Sequence, residues 1–152
     1  METILSIIAI ALSVVSMGLT LYTFWWTARR DRKQATLDAF NRLQKQALDH
    51  LNYYKPSEIA EIAKNPRSEE YKKISAYVAR IEHFCVGVTQ KIYDWETVYA
   101  LANDYLDGSI KLRIEHIILQ KNKMGGNDYY EHIHAVYDWL ATRKAKNKKK
   151  TK

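Results

Sequence analysis

Eight positions at the start of the chain, Glu2, Ser6, Ala9, Ser13, Ser16, Thr20, Thr23 and Thr27, follow one another at intervals of 4, 3, 4, 3, 4, 3 and 4 residues. A repeat of about 3.5 residues draws one seam along a helix. All five serines and threonines between Ile4 and Trp26 fall on it, and the other positions are large apolar residues plus Ala11 and Gly18. Inside a bilayer, helices gain nothing by merely burying apolar surface. They meet through small side chains and interhelical hydrogen bonds. The seam therefore predicts a contact with another copy of the chain or with a different protein; a homo-oligomer, expected to be a tetramer, is the simpler reading. With four or more copies turned inward it becomes a narrow polar conduit, with Glu2 forming an acidic ring that favours cations.

A second group suits ligand binding. Arg80, Lys91, Tyr93, Trp95 and Tyr99 gather around one predicted helix–helix turn and offer cations and stacking faces for a nucleotide or oligonucleotide. Tyr53, Tyr54 and Lys55 repeat that combination at the end of an earlier helix. Ordinary bundle packing with snorkelling stems is the competing explanation for both groups.

Catalytic signatures are missing from the sequence. Its five histidines include no H-E-x-x-H spacing, and His132 and His134, two apart, leave a helix on different sides. There is no phosphate-cradling glycine loop, no G-x-S-x-G and only one cysteine. The expectation is a protein that is not an enzyme and has neither a metal site nor a cofactor. The tetrapeptide Arg80-Ile-Glu-His83 returns as Arg113-Ile-Glu-His116, but the flanking residues do not align, so it reads as coincidence rather than duplication.

These groups have to be positioned by helices. Ile4 to Trp26 carries no charge and no proline, and as a helix it is about 34 Å long, enough for a hydrocarbon core of about 30 Å. The Met-Glu-Thr start and the length of the apolar run favour an uncleaved anchor over a signal peptide. Arg29, Arg30, Arg32 and Lys33 follow at once and predict that this end stays cytoplasmic, against an anionic inner leaflet, with the N-terminus outside. Tyr22, Trp25 and Trp26 fit the aromatic belt at that interface.

The formal net charge of +7 is concentrated in two places. One is this juxtamembrane cluster; the other is the run from Arg143 to Lys152, which contains no acid. Between Gln34 and Thr142 there are 13 basic and 15 acidic residues, so the domain itself is nearly neutral. Composition predicts a disordered tail over 146–152, which could alternatively bind nucleic acid.

Helical periodicity continues past the membrane. Leu37, Phe40, Leu43, Leu48, Leu51 and Tyr54 line a helix over Gln34 to Tyr54 that nothing separates from the span. Ser57 is expected to cap a short helix to Lys64, and Ser68 caps one buried through Ile74, Tyr77, Val78, Ile81, Phe84, Cys85 and Val88. Asp94 caps a helix running to Ile118 with a kink at Asp107-Gly108. After the Met124-Gly-Gly-Asn127 loop, a last helix runs from Asp128 to about Lys144 and buries Tyr130, Ile133, Tyr137 and Leu140. Cys85, on an apolar face, reads as a reduced, packed thiol. The fold class is all-α: a transmembrane helix over 1–28, then a cytosolic helical domain over 29–145.

Ile81-Glu-His-Phe-Cys-Val-Gly-Val88 followed by Ile92-Tyr-Asp94 resembles the pattern of a family of small bacterial membrane-anchored proteins of unknown function. Arg32-Lys-Gln-Ala-Thr-Leu-Asp38, Tyr129-Tyr-Glu131 and Trp139-Leu140 extend the resemblance. In architecture the chain also looks like membrane effectors of bacterial antiphage systems, in which an oligonucleotide bound by a cytosolic domain controls a small oligomeric span. That likeness implies a homo-oligomeric inner-membrane effector. A non-conducting anchor that docks a partner protein on the inner leaflet is the alternative.

Overall fold

A computed structural model describes residues 2–106, 108–125 and 129–150, and among them the secondary structure is helical, with no strand. Helix α1 (Glu2–Leu43) runs through a π-helical turn (Gln44–Leu48) into α2 (Asp49–Asn52). With neither glycine nor proline between Trp26 and Asn52, Thr3–Asn52 forms one 50-residue rod, about 75 Å long. Its first half is long and apolar enough to cross a membrane. From Ile4 to Trp26 every large apolar side chain is between 50% and 74% exposed, so this half has no core of its own.

The second half of the rod is a core element. Ala39, Phe40, Leu43, Ala47, Leu48 and Leu51 are buried on it. The interval from Leu43 to Leu48 is five residues, one more than an α-helical face tolerates. The π-helical turn absorbs that surplus residue and keeps both leucines inward. Leu37, expected on the apolar face, is instead exposed, and the buried position beside it is Thr36.

Four helices and a short α3 pack around this stem. Helix α3 (Pro56–Ala63) lies against α6 (Gly108–Gly125), and α7 (Glu131–Lys150) lies against α4 (Glu69–Thr89). Helix α5 (Trp95–Tyr105) and α4, through Tyr77, Arg80 and Phe84, complete contacts to the rod. The expected α4 stripe is buried throughout, joined by Tyr71 and Gly87. Ser68 Oγ accepts the Tyr71 N–H at 3.1 Å, and Asp94 Oδ1 accepts the Thr97 N–H at 2.9 Å, so both predicted caps form.

Four local expectations are corrected. Ser57 does not cap α3: Pro56 occupies the first turn, and the Lys55 N–H donates to Glu58 Oε2 at 2.8 Å. The break after α5 is a full stop rather than a kink, because Leu106 leaves the α region at ψ 43° and ends the ladder; Leu106 and Ile110 are both buried. The tail is helical as far as Lys150, since α7 continues beyond Lys144 and Asn147 Nδ2 donates to the Tyr99 hydroxyl at 3.1 Å. Helix α7 opens at Glu131. Asp107, the Gly126-Asn127 part of the loop, the expected start at Asp128, residues 151–152 and the side chain of Glu2 lie outside the described set.

Candidate functional site

The seam leaves a furrow down the exposed half of α1. One stretch is lined by Leu12, Ser13, Ser16, Met17 and Thr20, the next by Ser16, Leu19, Thr20, Thr23, Phe24 and Thr27. Small side chains make this the face at which a second helix could come closest. The hydroxyls are less demanding than the sequence implies. Thr20 Oγ1–H donates to the Ser16 carbonyl at 2.9 Å and Thr23 Oγ1–H to the Leu19 carbonyl at 2.8 Å, both within the helix. Packing rather than unsatisfied hydrogen bonding is therefore the argument for a partner at those two positions.

At the foot of the apolar stretch, the Arg29 guanidinium lies 5.6 Å from the Trp25 ring centroid and Arg30 lies 5.6 Å from that of Trp26. The indoles and cations thus form one band, with Arg32 and Lys33 in the next turn. One turn further on, Thr36 is wholly buried. Its hydroxyl donates to the Arg32 carbonyl at 2.7 Å and accepts the Asp94 N–H at 2.8 Å. This bond fastens the rod to the α4–α5 turn. Burial alone would raise the Asp94 carboxyl, but hydrogen bonds from the Thr97 N–H and hydroxyl, with the Lys33 and Arg29 cations, outweigh it and hold the group below its ordinary range.

The turn itself is a Schellman motif. The Ile92 N–H bonds to the Gly87 carbonyl at 2.9 Å and the Lys91 N–H to the Val88 carbonyl at 3.0 Å. Lys91 takes the left-handed conformation, φ 60°, where glycine is usual. Gly87 has its own reason to lack a side chain, because a Cβ there would lie 2.3 Å from the Tyr93 ring. The closed turn lets Tyr93 fold back over α4 and stack on Phe84, with ring centroids 5.2 Å apart.

The residues predicted to bind a ligand divide between two places. Arg80 and Tyr93 line a cavity of about 370 Å³ between the rod and α4, together with Ala39, Arg42, Leu43, Gln46, Ala79, His83 and Phe84. Trp95 and Tyr99 instead pack edge-on against Trp139, at 4.3 and 6.0 Å, and the Arg143 guanidinium lies over the Tyr99 and Trp139 rings. Lys91 is exposed and lines neither. Tyr53 is almost fully exposed, and the Tyr54 carbonyl accepts from Arg113 Nε at 2.9 Å. Arg42, Gln46 and His83 escaped the sequence reading because Arg42 and Gln46 belong to the rod and meet α4 only in the folded chain. Pro56 separates those two from any motif near Arg80.

His132 Nδ1 pairs with Thr89 Oγ1 at 2.8 Å, and no group of three potential metal ligands assembles among the described residues. Cys85 is buried, and burial together with nearby Glu82 pushes its thiol far up. The repeated tetrapeptides share part of their chemistry. Ile81 and Ile114 are both core residues, and both arginines donate to backbone carbonyls in or just after the rod, Arg80 to Gln46 and Arg113 to Tyr54.

A helical bundle hung from one helix long and apolar enough to cross a membrane defines the architectural class. The chain belongs to the family described as Domain of unknown function (DUF4760), whose model matches residues 10–143. No curated protein and no solved structure matches it.

Proposed function

We propose that the protein is a homo-oligomeric, single-pass inner-membrane effector of bacterial antiphage defence, with its N-terminus outside and its helical domain in the cytoplasm. In this role the domain senses a nucleotide or oligonucleotide signal, and the spans, associated through the Ser6 to Thr27 seam, gate or disrupt the membrane. The observation that carries the proposal is the uninterrupted rod. The helix with the hydroxyl furrow is the same helix that supplies Arg42 and Gln46 to the cavity and Thr36 to the α4–α5 turn. A ligand between the rod and α4 has a direct mechanical route to the bilayer.

One observation is equally compatible with the milder alternative, a non-conducting anchor that docks a partner protein at the inner leaflet. Thr20 and Thr23 spend their hydroxyl protons on their own helix, which a dry helix–helix contact accommodates as well as a wet lumen does. The paired substitution Ser13→Leu with Ser16→Leu tests both. For the effector, cross-linking yields oligomers and induced expression depolarises the membrane, and both effects are lost in the variant while localisation is kept. Wild-type oligomers that never depolarise cells leave the anchor. A wild-type monomer in lipid removes both the seam contact and the effector.

A further inference from the structure

We infer that the cavity between the π-helical turn and α4 binds a phosphate monoester of nucleotide size, with the phosphate between Arg42 and Arg80 and the planar body on the Leu43, Phe84 and Tyr93 wall. The proposal deepens the sensing role above by giving it a place and a ligand class. Its volume of about 370 Å³ is in the range of small-molecule sites. Its wall is aromatic and aliphatic, while Arg42, Arg80 and His83 bring only cationic or neutral groups. No carboxylate lines it, and neither arginine has an ion-pair partner among the described residues. Two guanidiniums left without a counter-charge beside an apolar wall suit an anion that carries a flat group, and their forked donors match phosphate oxygens.

The backbone at this point is itself unusual. Arg80 Nη1 donates to the Gln46 carbonyl at 2.6 Å, and Gln46 lies inside the π-helical turn. Single π-turns within α-helices are concentrated at functional sites. Arg42 Nε bonds only to the Asp38 carbonyl of its own helix, at 3.3 Å, and its terminal nitrogens remain to meet a ligand. A phosphate that draws Arg80 off the Gln46 carbonyl would act on the rod at its one irregular turn.

The full-length protein in lipid nanodiscs can be titrated by calorimetry with the four nucleoside 5′-monophosphates, with inorganic phosphate and with the free nucleosides. Saturable binding of at least one monophosphate is expected, with phosphate alone and nucleoside alone each weaker by at least about tenfold. Arg42→Ala and Arg80→Ala should each weaken binding by at least about tenfold, while Arg143→Ala, at the other aromatic cluster, leaves it unchanged. Because Arg42 bonds only within its helix, its variant retains the fold if Arg80→Ala does not. No saturable binding below about 1 mM, or binding indifferent to Arg42→Ala, overturns the proposal. Cross-linking of the same samples reports the seam separately: oligomers that bind no monophosphate sink this site alone, whereas a monophosphate-binding monomer sinks the effector alone.

Discussion

The Glu82 carboxylate accepts the Ile133 N–H at 2.9 Å, reaching from the middle of α4 to the first turn of α7. Its other oxygen accepts the His132 N–H at 3.3 Å. Helix starts leave backbone donors unsatisfied, and an anion there is also favoured by the helix dipole. A side chain distant in sequence thus performs the capping that a local serine or aspartate performs for α4 and α5.

Glu82→Ala should therefore loosen α7 without touching the rest of the bundle. A loss of about 1–3 kcal/mol is expected, the cost of leaving part-buried donors unsatisfied, with Glu82→Gln retaining part of it. Urea midpoints measure the loss. Amide exchange should accelerate in α7 and not in α3 or α6.

Asp94 supports the turn at which the rod is fastened. Its carboxyl is held below the ordinary 3.8, so its contribution is fully present above the unfolded-state value and disappears as pH falls through the lower folded-state value. Asp94→Ala is expected to cost about 1 kcal/mol at neutral pH, as cap losses do. The gap between variant and wild type should stay constant above roughly pH 5 and narrow below it, as denaturation at a series of pH values will show.

Lys91 holds a left-handed backbone conformation that favours glycine. Lys91→Gly should raise stability by up to about 1 kcal/mol, since the folded state loses a Cβ penalty of that order and no side-chain contact. Gly87→Ala should do the opposite and more strongly, because the Tyr93 ring occupies the space. Thermal midpoints of the two variants should move in opposite directions.

The Cys85 thiol, 1% exposed and with its ionisation suppressed by burial and by Glu82, should resist maleimide in the folded protein at neutral pH. Labelling should become complete in urea. Fast labelling of the native protein would mean that α4 opens far more readily than its packing allows.

Much of the architecture could be read from residue types. The charge-free run from Ile4 to Trp26, the Ser68 and Asp94 caps and the α4 stripe each rest on local signals a few residues apart. Local patterns misled where backbone geometry was decided by tertiary packing. Leu106 leaves the α region and ends α5 where the sequence suggests only a kink, and the lysine-rich end of α7 is helical, with Asn147 bonded to the Tyr99 hydroxyl, although its composition suggests otherwise. The five-residue step from Leu43 to Leu48 was a visible trace of the π-helical turn, but one irregular interval inside a long apolar pattern is easily passed over. The cavity was only half legible. Arg80 and Tyr93 stand near each other in sequence, whereas Arg42 and Gln46 arrive from another helix. Glu82 gave no local sign of its role, since its acceptors' partners lie 50 residues away.

The π-helical turn also sets the angular phase of the membrane half. Gln44 to Leu48 holds one residue more than ordinary winding requires, and its wider turn leaves everything upstream rotated by about 100° about the axis relative to the same residues wound as unbroken α-helix. The azimuth at which the hydroxyl furrow leaves the bundle is therefore fixed some 20 residues downstream of it, at the wall of the cavity. Rewinding that turn as α-helix with no residue removed would swing the furrow by about a quarter turn while the bundle stays still.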